Sequence, residues 1–347
     1  MQAGQFAQAE QLLRGVLKTH PHDPRVHSAL GVALAGMGNL PAATAEYRKA
    51  LAADAHQPQV EMLLGMAEFK QGNFAQAAKA LQAARTGLPA DQRSNTLLGM
   101  SYFGLRRYSD AVTYLQPASA GDAANLELHN VLAQSCLWSR QFDCAQREFE
   151  TILKADPNAV QVHMLMAQAL DATGKTDEAI NDLESVAGAS PKEPVFHFEL
   201  GYLYYKKREY DHARPEFQRE LEINPGYAQS YFYLGDMALN EGDEKVAEPL
   251  LNKALAMQTD VRQAYVDLGA IYMNQGKREK ALAAFRRAVE LDPRQPDAHY
   301  RLGRLYTAMG DRAKAQVEFD TIKTLHSEAD DSLIEKISGQ PAAGGER

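Results

Sequence analysis

Residues 262–295 read RQAYVDLGAIYMNQGKREKALAAFRRAVELDPRQ, and residues 296–329 read PDAHYRLGRLYTAMGDRAKAQVEFDTIKTLHSEA. Laid one above the other, the two segments align without a gap. Leu268-Gly269 falls over Leu302-Gly303, Tyr272 over Tyr306, Gly276 over Gly310, Ala281 over Ala315 and Phe285 over Phe319. Self-similarity at a fixed period is the mark of a repeat architecture and has to be read before anything else. Working outward, glycine recurs at Gly31, Gly65, Gly99, Gly201 and Gly235, always 34 residues or a multiple of 34 apart, with Ala133 and Ala167 at the two skipped positions. Alanine is stricter still, at Ala9, Ala43, Ala77, Ala111, Ala145, Ala179, Ala213, Ala247, Ala281 and Ala315. Four residues after each alanine stands a large side chain, from Leu13 and Tyr47 through Phe149 and Phe217 to Phe285 and Phe319.

Each element of the pattern has a mechanical reason. The small residue of the first helix lets a neighbouring helix come close. The alanine and the large residue after it are i and i+4, hence on one face of a second helix. A glycine between the two helices (Gly38, Gly72, Gly174, Gly242, Gly276, Gly310) supplies the positive φ that ends a helix cleanly. Proline closes many units, at Pro21, Pro89, Pro157, Pro191, Pro225 and Pro293, because it cannot continue a helix interior.

The pattern resembles the tetratricopeptide signature, L-G-x-x-Y, then A-x-x-x-F, then P over one repeat. The resemblance covers nearly the whole chain and implies an all-α, right-handed superhelical solenoid of antiparallel helix pairs. The main departure is the signature tryptophan slot, which holds His27, Glu61, Asn95, His129, His163, His197, Tyr231, Tyr265 and His299. Units begin near Pro24, Pro58, Gln92, Leu126, Val160, Pro194, Ala228, Arg262 and Pro296, so residues 24–331 are expected to hold nine tandem repeats. Residues 1–23 are in register with the turn and second helix only, an N-terminal half repeat that suggests a fragment or truncated start. Residues 332–338 are expected to form a short capping turn, and 339–347 a disordered tail. Pro117 falls inside a second helix and is expected to end it early.

Several chemistries find no support. The formal net charge of −8 does not suit a nucleic-acid binder, which carries a basic stripe to replace phosphate counterions. No run of apolar residues approaches the length of a membrane-spanning helix. Ala169 to Thr176 reads A-x-x-x-x-G-K-T, yet a phosphate-binding loop follows a strand, and here a helical segment precedes it. His129, His163 and His197 occupy equivalent slots of consecutive units. Helices in contact lie about 8–10 Å apart, too far for such positions to share one metal ion. Cys136 and Cys144 belong to the two helices of one unit and read as two inert buried or half-buried thiols, a disulfide being the lesser alternative. No catalytic constellation, metal site or cofactor motif appears, so the chain is not expected to be an enzyme.

Helix geometry leaves slots 2, 5, 6, 9, 12 and 13 of each unit opposite the packed face. In the proteins this chain resembles, that side of the first helix lines a concave groove that grips peptides. The slots hold Met62, Met66, Phe69, Met100, Phe103, Trp138, Phe198, Tyr202, Tyr205, Phe232 and Tyr233, with Arg301 and Arg304 at the far end. A solvent-facing surface this apolar marks an interaction site. The expected function is therefore a non-catalytic scaffold or adaptor that binds an apolar or aromatic-bearing segment of a protein partner. Self-association through the same face is a second route, and the recognition arm of a larger enzyme, such as a glycosyltransferase or protease, is the competing reading. The compartment, cytoplasmic or exported, is left open.

Overall fold

The computed structural model describes residues 3–88, 92–189 and 192–338, and among these it holds nineteen helices and no strand. The chain divides into two compact units, Met1–Pro191 and Lys192–Arg347. The first carries α1 (Ala3–Leu17), α2 (Pro24–Gly36), α3 (Leu40–Ala53), α4 (Pro58–Lys70), α5 (Phe74–Ala84) and α6 (Gln92–Gly104), followed by α7 (Tyr108–Gly121), α8 (Leu126–Trp138), α9 (Phe142–Ala155), α10 (Val160–Ala172) and α11 (Thr176–Val186). The second carries α12 (Phe196–Lys206), α13 (Tyr210–Ile223), α14 (Ala228–Asn240), α15 (Glu244–Met257), α16 (Arg262–Asn274), α17 (Arg278–Leu291), α18 (Pro296–Met309) and α19 (Arg312–Ser338). Within each unit the tightest packing joins successive helices as pairs, α2 with α3, α14 with α15 and so on, and each pair then stacks on the next. This is the all-α helix-pair solenoid that the period predicts.

The pairs are close because of the two residue series. A Cβ placed on Gly269 would stand 2.4 Å from the Phe285 ring, one on Gly31 2.5 Å from the Tyr47 ring, and one on Gly65 2.6 Å from Leu81. The large residue of the second helix thus fills the space its partner glycine leaves. Tyr47, Leu81, Phe149, Phe217 and Phe285 are fully buried, as are the alanines Ala43, Ala77, Ala145, Ala213 and Ala281 that precede them. Between paired helices the turn glycines take φ between +72° and +84°, and the same turn is made at φ +57° to +62° by Arg106, Arg140 and Arg208. The backbone geometry of the turn persists where its preferred residue is absent.

The unusual histidines have a structural partner that sequence reading missed. His27 Nδ1 lies 2.6 Å from Glu46 Oε2, His197 Nδ1 2.6 Å from Glu216 Oε2, and His299 Nδ1 2.6 Å from Glu318 Oε2. His129 meets Glu148 in the same way, and His163 Nδ1 stands 3.0 Å from Asp182 Oδ1. The acid always comes 19 residues after the histidine. Where the slot is not histidine, at Glu61, Asn95, Tyr231 and Tyr265, that position holds Ala80, Tyr114, Leu250 and Ala284. The other ring nitrogen of His27, His163 and His299 faces the carbonyl of Pro21, Pro157 and Pro293. A carbonyl only accepts, so Nε2 carries the hydrogen of that contact. Burial works to raise the Glu46 pKa, but hydrogen bonds from Lys49 and His27 outweigh it and hold the carboxyl below its ordinary value. Each histidine therefore ties the two helices of its pair together and, in three pairs, reaches the closing proline before them.

Four expectations are revised or moved. α7 does not stop at Pro117 but runs to Gly121, because Ala118 and Ser119 beyond it are buried and Gln92 Nε2 donates to the Ala118 carbonyl. α12 opens at Phe196, not at Pro194, because Val195 takes φ +71°. Residues 332–337, expected as a separate capping turn, continue α19 as one helix. Cys136 and Cys144 are not free thiols: they form a disulfide between α8 and α9, with Cα atoms 5.7 Å apart, since the helix hairpin brings these slots face to face. Pro89, Pro191 and the 339–347 tail lie outside the described residues.

Two stability predictions follow from this packing. Gly269→Ala should destabilise by about 1–3 kcal/mol, the cost of overpacking a filled core. Ala133→Gly, at a slot that already holds a methyl, should cost only about 0.5–1 kcal/mol. Urea melts that fail to separate the two would contradict the close-approach account. Separately, His197→Ala leaves Glu216 Oε2 without its partner, while Arg219 still donates to Oε1, and should cost about 1–3 kcal/mol. The double change His197→Tyr with Glu216→Leu copies the Tyr231 and Leu250 pair of the next repeat, and thermal melts should show most of that loss recovered.

Candidate functional site

The faces that the slot arithmetic leaves free differ between the two units. In the first, α4 presents Met62, Met66 and Phe69, α6 presents Met100 and Phe103, and α8 ends on Trp138. All but Trp138 are half-buried, because each first helix is flanked by the next and its tenth slot (Ala67, Ser101, Ser135) is buried as well. Trp138 is 45% exposed, with its ring stacked on Phe103 at 5.6 Å and tilted against Tyr108 at 4.9 Å. Phe103 and Tyr108 also meet at 5.9 Å, so three rings hold one another and one of them looks into solvent. The disulfide braces the same helix end, two residues before Trp138.

In the second unit the aromatic residues form one connected cluster. Phe198 packs at 4.9–6.2 Å against Tyr202, Phe217, Tyr227 and Tyr233. Tyr233 lies 4.8 Å from Tyr205, 5.5 Å from Tyr202 and 5.4 Å from Phe217. Contact with Phe217 means that Phe198 and Tyr233 rest on the core rather than standing clear of it. Phe232 was expected on the open face and is instead buried in the cluster of Ala247, Leu251 and Leu268, because the stacking repeat covers its slot. Tyr202 and Tyr205 are half-buried, whereas Arg301 and Arg304 on the last first helix are exposed. Burial pushes the Tyr227 and Tyr233 hydroxyls up to about 12, so both are neutral hydrogen-bonding groups at any physiological pH.

Two carboxylates escaped the search for apolar residues. Asp236, 34 residues after Tyr202 and so in the equivalent slot, is buried and accepts from Tyr205 Oη at 2.5 Å and from Asn240 Nδ2 at 2.9 Å. Burial raises its pKa against those two hydrogen bonds. Asp267, equivalent to Tyr233, is 5% exposed, and its Oδ1 accepts from Gln263 Nε2 at 2.9 Å. Burial pushes Asp267 up to about 7, with Asp236 adding to the effect and Gln263 and Arg301 opposing it. Each is an acid at a slot that holds tyrosine in the repeat before it, Tyr202 and Tyr233.

The A-x-x-x-x-G-K-T segment is a helix-to-helix turn, with Gly174 at φ +81° and Thr176 Oγ1 donating to Asp171. No group of three or more metal-ligating side chains comes together among the described residues, and none of their helices is long and apolar enough to cross a membrane.

Helix pairs of this period, packed small residue against large, define a repeat scaffold for protein interactions. Family models described as tetratricopeptide repeat match residues 1–67, 62–125, 102–169, 160–193, 198–261 and 297–329, and one described as TPR repeat matches 269–310. The chain belongs to the tetratricopeptide repeat family, whose fold is typically a non-catalytic interaction module. No curated protein matches it in sequence. Among solved structures it resembles a tetratricopeptide repeat protein of Parabacteroides merdae, with 17% identity and a TM-score of 0.55 over 72% of this chain and 98% of that one. The C-terminal part of a TPR repeat-containing protein of Cytophaga hutchinsonii is similar at 19% identity and a TM-score of 0.53, over 69% and 98%. MamA of Desulfovibrio magneticus aligns at 24% identity and a TM-score of 0.45, over 49% and 97%. These likenesses concern the fold.

The corrected burial gives a graded prediction. Tyr202→Ala should stay within about 1 kcal/mol of the parent, whereas Phe217→Ala should lose about 3–5 kcal/mol. Phe232→Ala should fall near Phe217→Ala. Urea melts in which Phe232→Ala behaves like Tyr202→Ala would return Phe232 to the open face.

Proposed function

We propose that the chain is a non-catalytic adaptor whose first helices hold a peptide segment bearing apolar or aromatic side chains. The observation that carries the reading is Trp138, a large ring held in place by Phe103 and Tyr108 and still 45% exposed. Ordering a ring before binding lowers the entropy that a partner must overcome, and aromatic anchors dominate interface energetics. Met62, Met66, Phe69 and Met100 supply adaptable apolar surface beside it. Tyr202 and Tyr205 play the corresponding part in the second unit.

Trp138 is the only tryptophan, so its emission reports on this surface alone. Short peptides carrying two or three aromatic residues, titrated into the chain, should shift that emission. Trp138→Ala, which has no tryptophan and is titrated by calorimetry beside the parent, should weaken binding by about 2 kcal/mol, roughly thirtyfold, without changing the melting temperature. Peptides that bind Trp138→Ala and the parent equally well would count against the surface, and failure of every aromatic peptide to bind would count against the function.

A further inference from the structure

Along the second unit, the sixth slot of successive first helices reads Glu199, Tyr233, Asp267, Arg301, and the ninth reads Tyr202, Asp236, Ala270, Arg304. The two buried acids therefore sit on neighbouring helices, α14 and α16, which pack against each other. Asp236 is satisfied by Tyr205 and Asn240. Asp267 is not: its Oδ2 is buried without a hydrogen-bond partner, although the residue is only 5% exposed. A buried carboxylate oxygen lacking a donor is costly to keep, and such a group calls for something that completes it. The charged groups bearing on Asp267 are Asp236 from α14 and Arg301 and Asp297 from α18, with Gln263 on its own helix. Arg301 is felt by Asp267 yet makes no ion pair with it within the described residues. In front of the acid the ninth slot of α16 is only Ala270, where α12, α14 and α18 carry Tyr202, Asp236 and Arg304.

Resting on the reading of these helices as a peptide-holding surface, we propose that Asp267, with Asp236 beside it, receives the side chain of a lysine or arginine in the partner peptide. The missing donor, the second negative charge and the small Ala270 suit a long side chain ending in a cation. Tyr233, at the equivalent slot of the neighbouring α14, offers ring surface to its aliphatic stem and its charge. A metal is the poorer occupant, since two carboxylates that each already accept a hydrogen bond supply too few oxygen ligands. The cation competes with a proton for Asp267. Because burial holds that acid near 7, recognition should strengthen as pH rises through neutrality and fade below it.

The test uses two arrays of short immobilised peptides, random except for two fixed tyrosines and a central residue. That residue is arginine in one array and its uncharged isostere citrulline in the other. The intact chain should be captured about tenfold better by the arginine array at pH 8 and lose most of that preference at pH 5.5. Asp267→Asn, checked by its melting temperature, should abolish the preference, whereas Asp260→Asn, an exposed acid on the loop before α16, should keep it. An arginine preference that survives Asp267→Asn overturns the cation site. Equal capture by both arrays that is lost in Tyr202→Ala also overturns it but leaves the peptide-holding surface standing. Capture by neither array overturns both.

Discussion

The large side chain of each second helix projects toward a point on the first helix where a Cβ would stand within 3 Å of it in most pairs. Only a residue without a side chain, or with a single methyl, leaves room there. That one steric relation sets the distance between paired helices, and the distance sets which other slots meet. It brings slot 11 against the start of the second helix closely enough for Cys136 and Cys144 to bridge. It also places the histidine slot against the residue 19 positions later, where every histidine finds a carboxylate. The fold grows by repeating a local contact, so its core lengthens without thickening.

The histidine and acid pairs show a different way of filling a slot that a bulky apolar residue fills elsewhere. Apolar pairs such as Tyr231 with Leu250 need only volume and burial. A histidine and acid pair must also place its hydrogen bonds, and in three pairs the carbonyls of Pro21, Pro157 and Pro293 take the second ring nitrogen, whereas His129 Nε2 is buried without a partner. Buried pairs contribute little net stability compared with apolar packing but penalise any mismatch heavily.

The open face of each unit is neither bare nor sealed. Stacking of one pair on the next half-buries the methionines and most of the aromatic rings of this face, and of its named residues only Trp138, Arg301 and Arg304 are exposed. A surface of this kind holds its rings in fixed orientations before a partner arrives. In the second unit the same face changes character along its length, from aromatic at α12 and α14, through the buried acids, to arginine at α18.

The sequence by itself determined the repeat, the helix pairs and the packed face, because a 34-residue period with small and large residues in register has one steric solution. Gly269 against Phe285 was legible for that reason. The pairing of His197 with Glu216 was also written in the sequence, as an acid that appears only where the slot is histidine, but it emerges only when residues 19 apart are compared. Other features had no local signature. Whether Phe232 is covered depends on the stacking of the next repeat, which a single-helix projection leaves out. Pro117 stays helical because distant residues bury the turn after it. Asp267 is a charged residue at a slot of the free face, and only the packing of α14, α16 and α18 around it decided that it is buried with an oxygen unpaired. Periodicity specifies contacts within a repeat, whereas burial at an interface depends on what the neighbouring repeat brings to it.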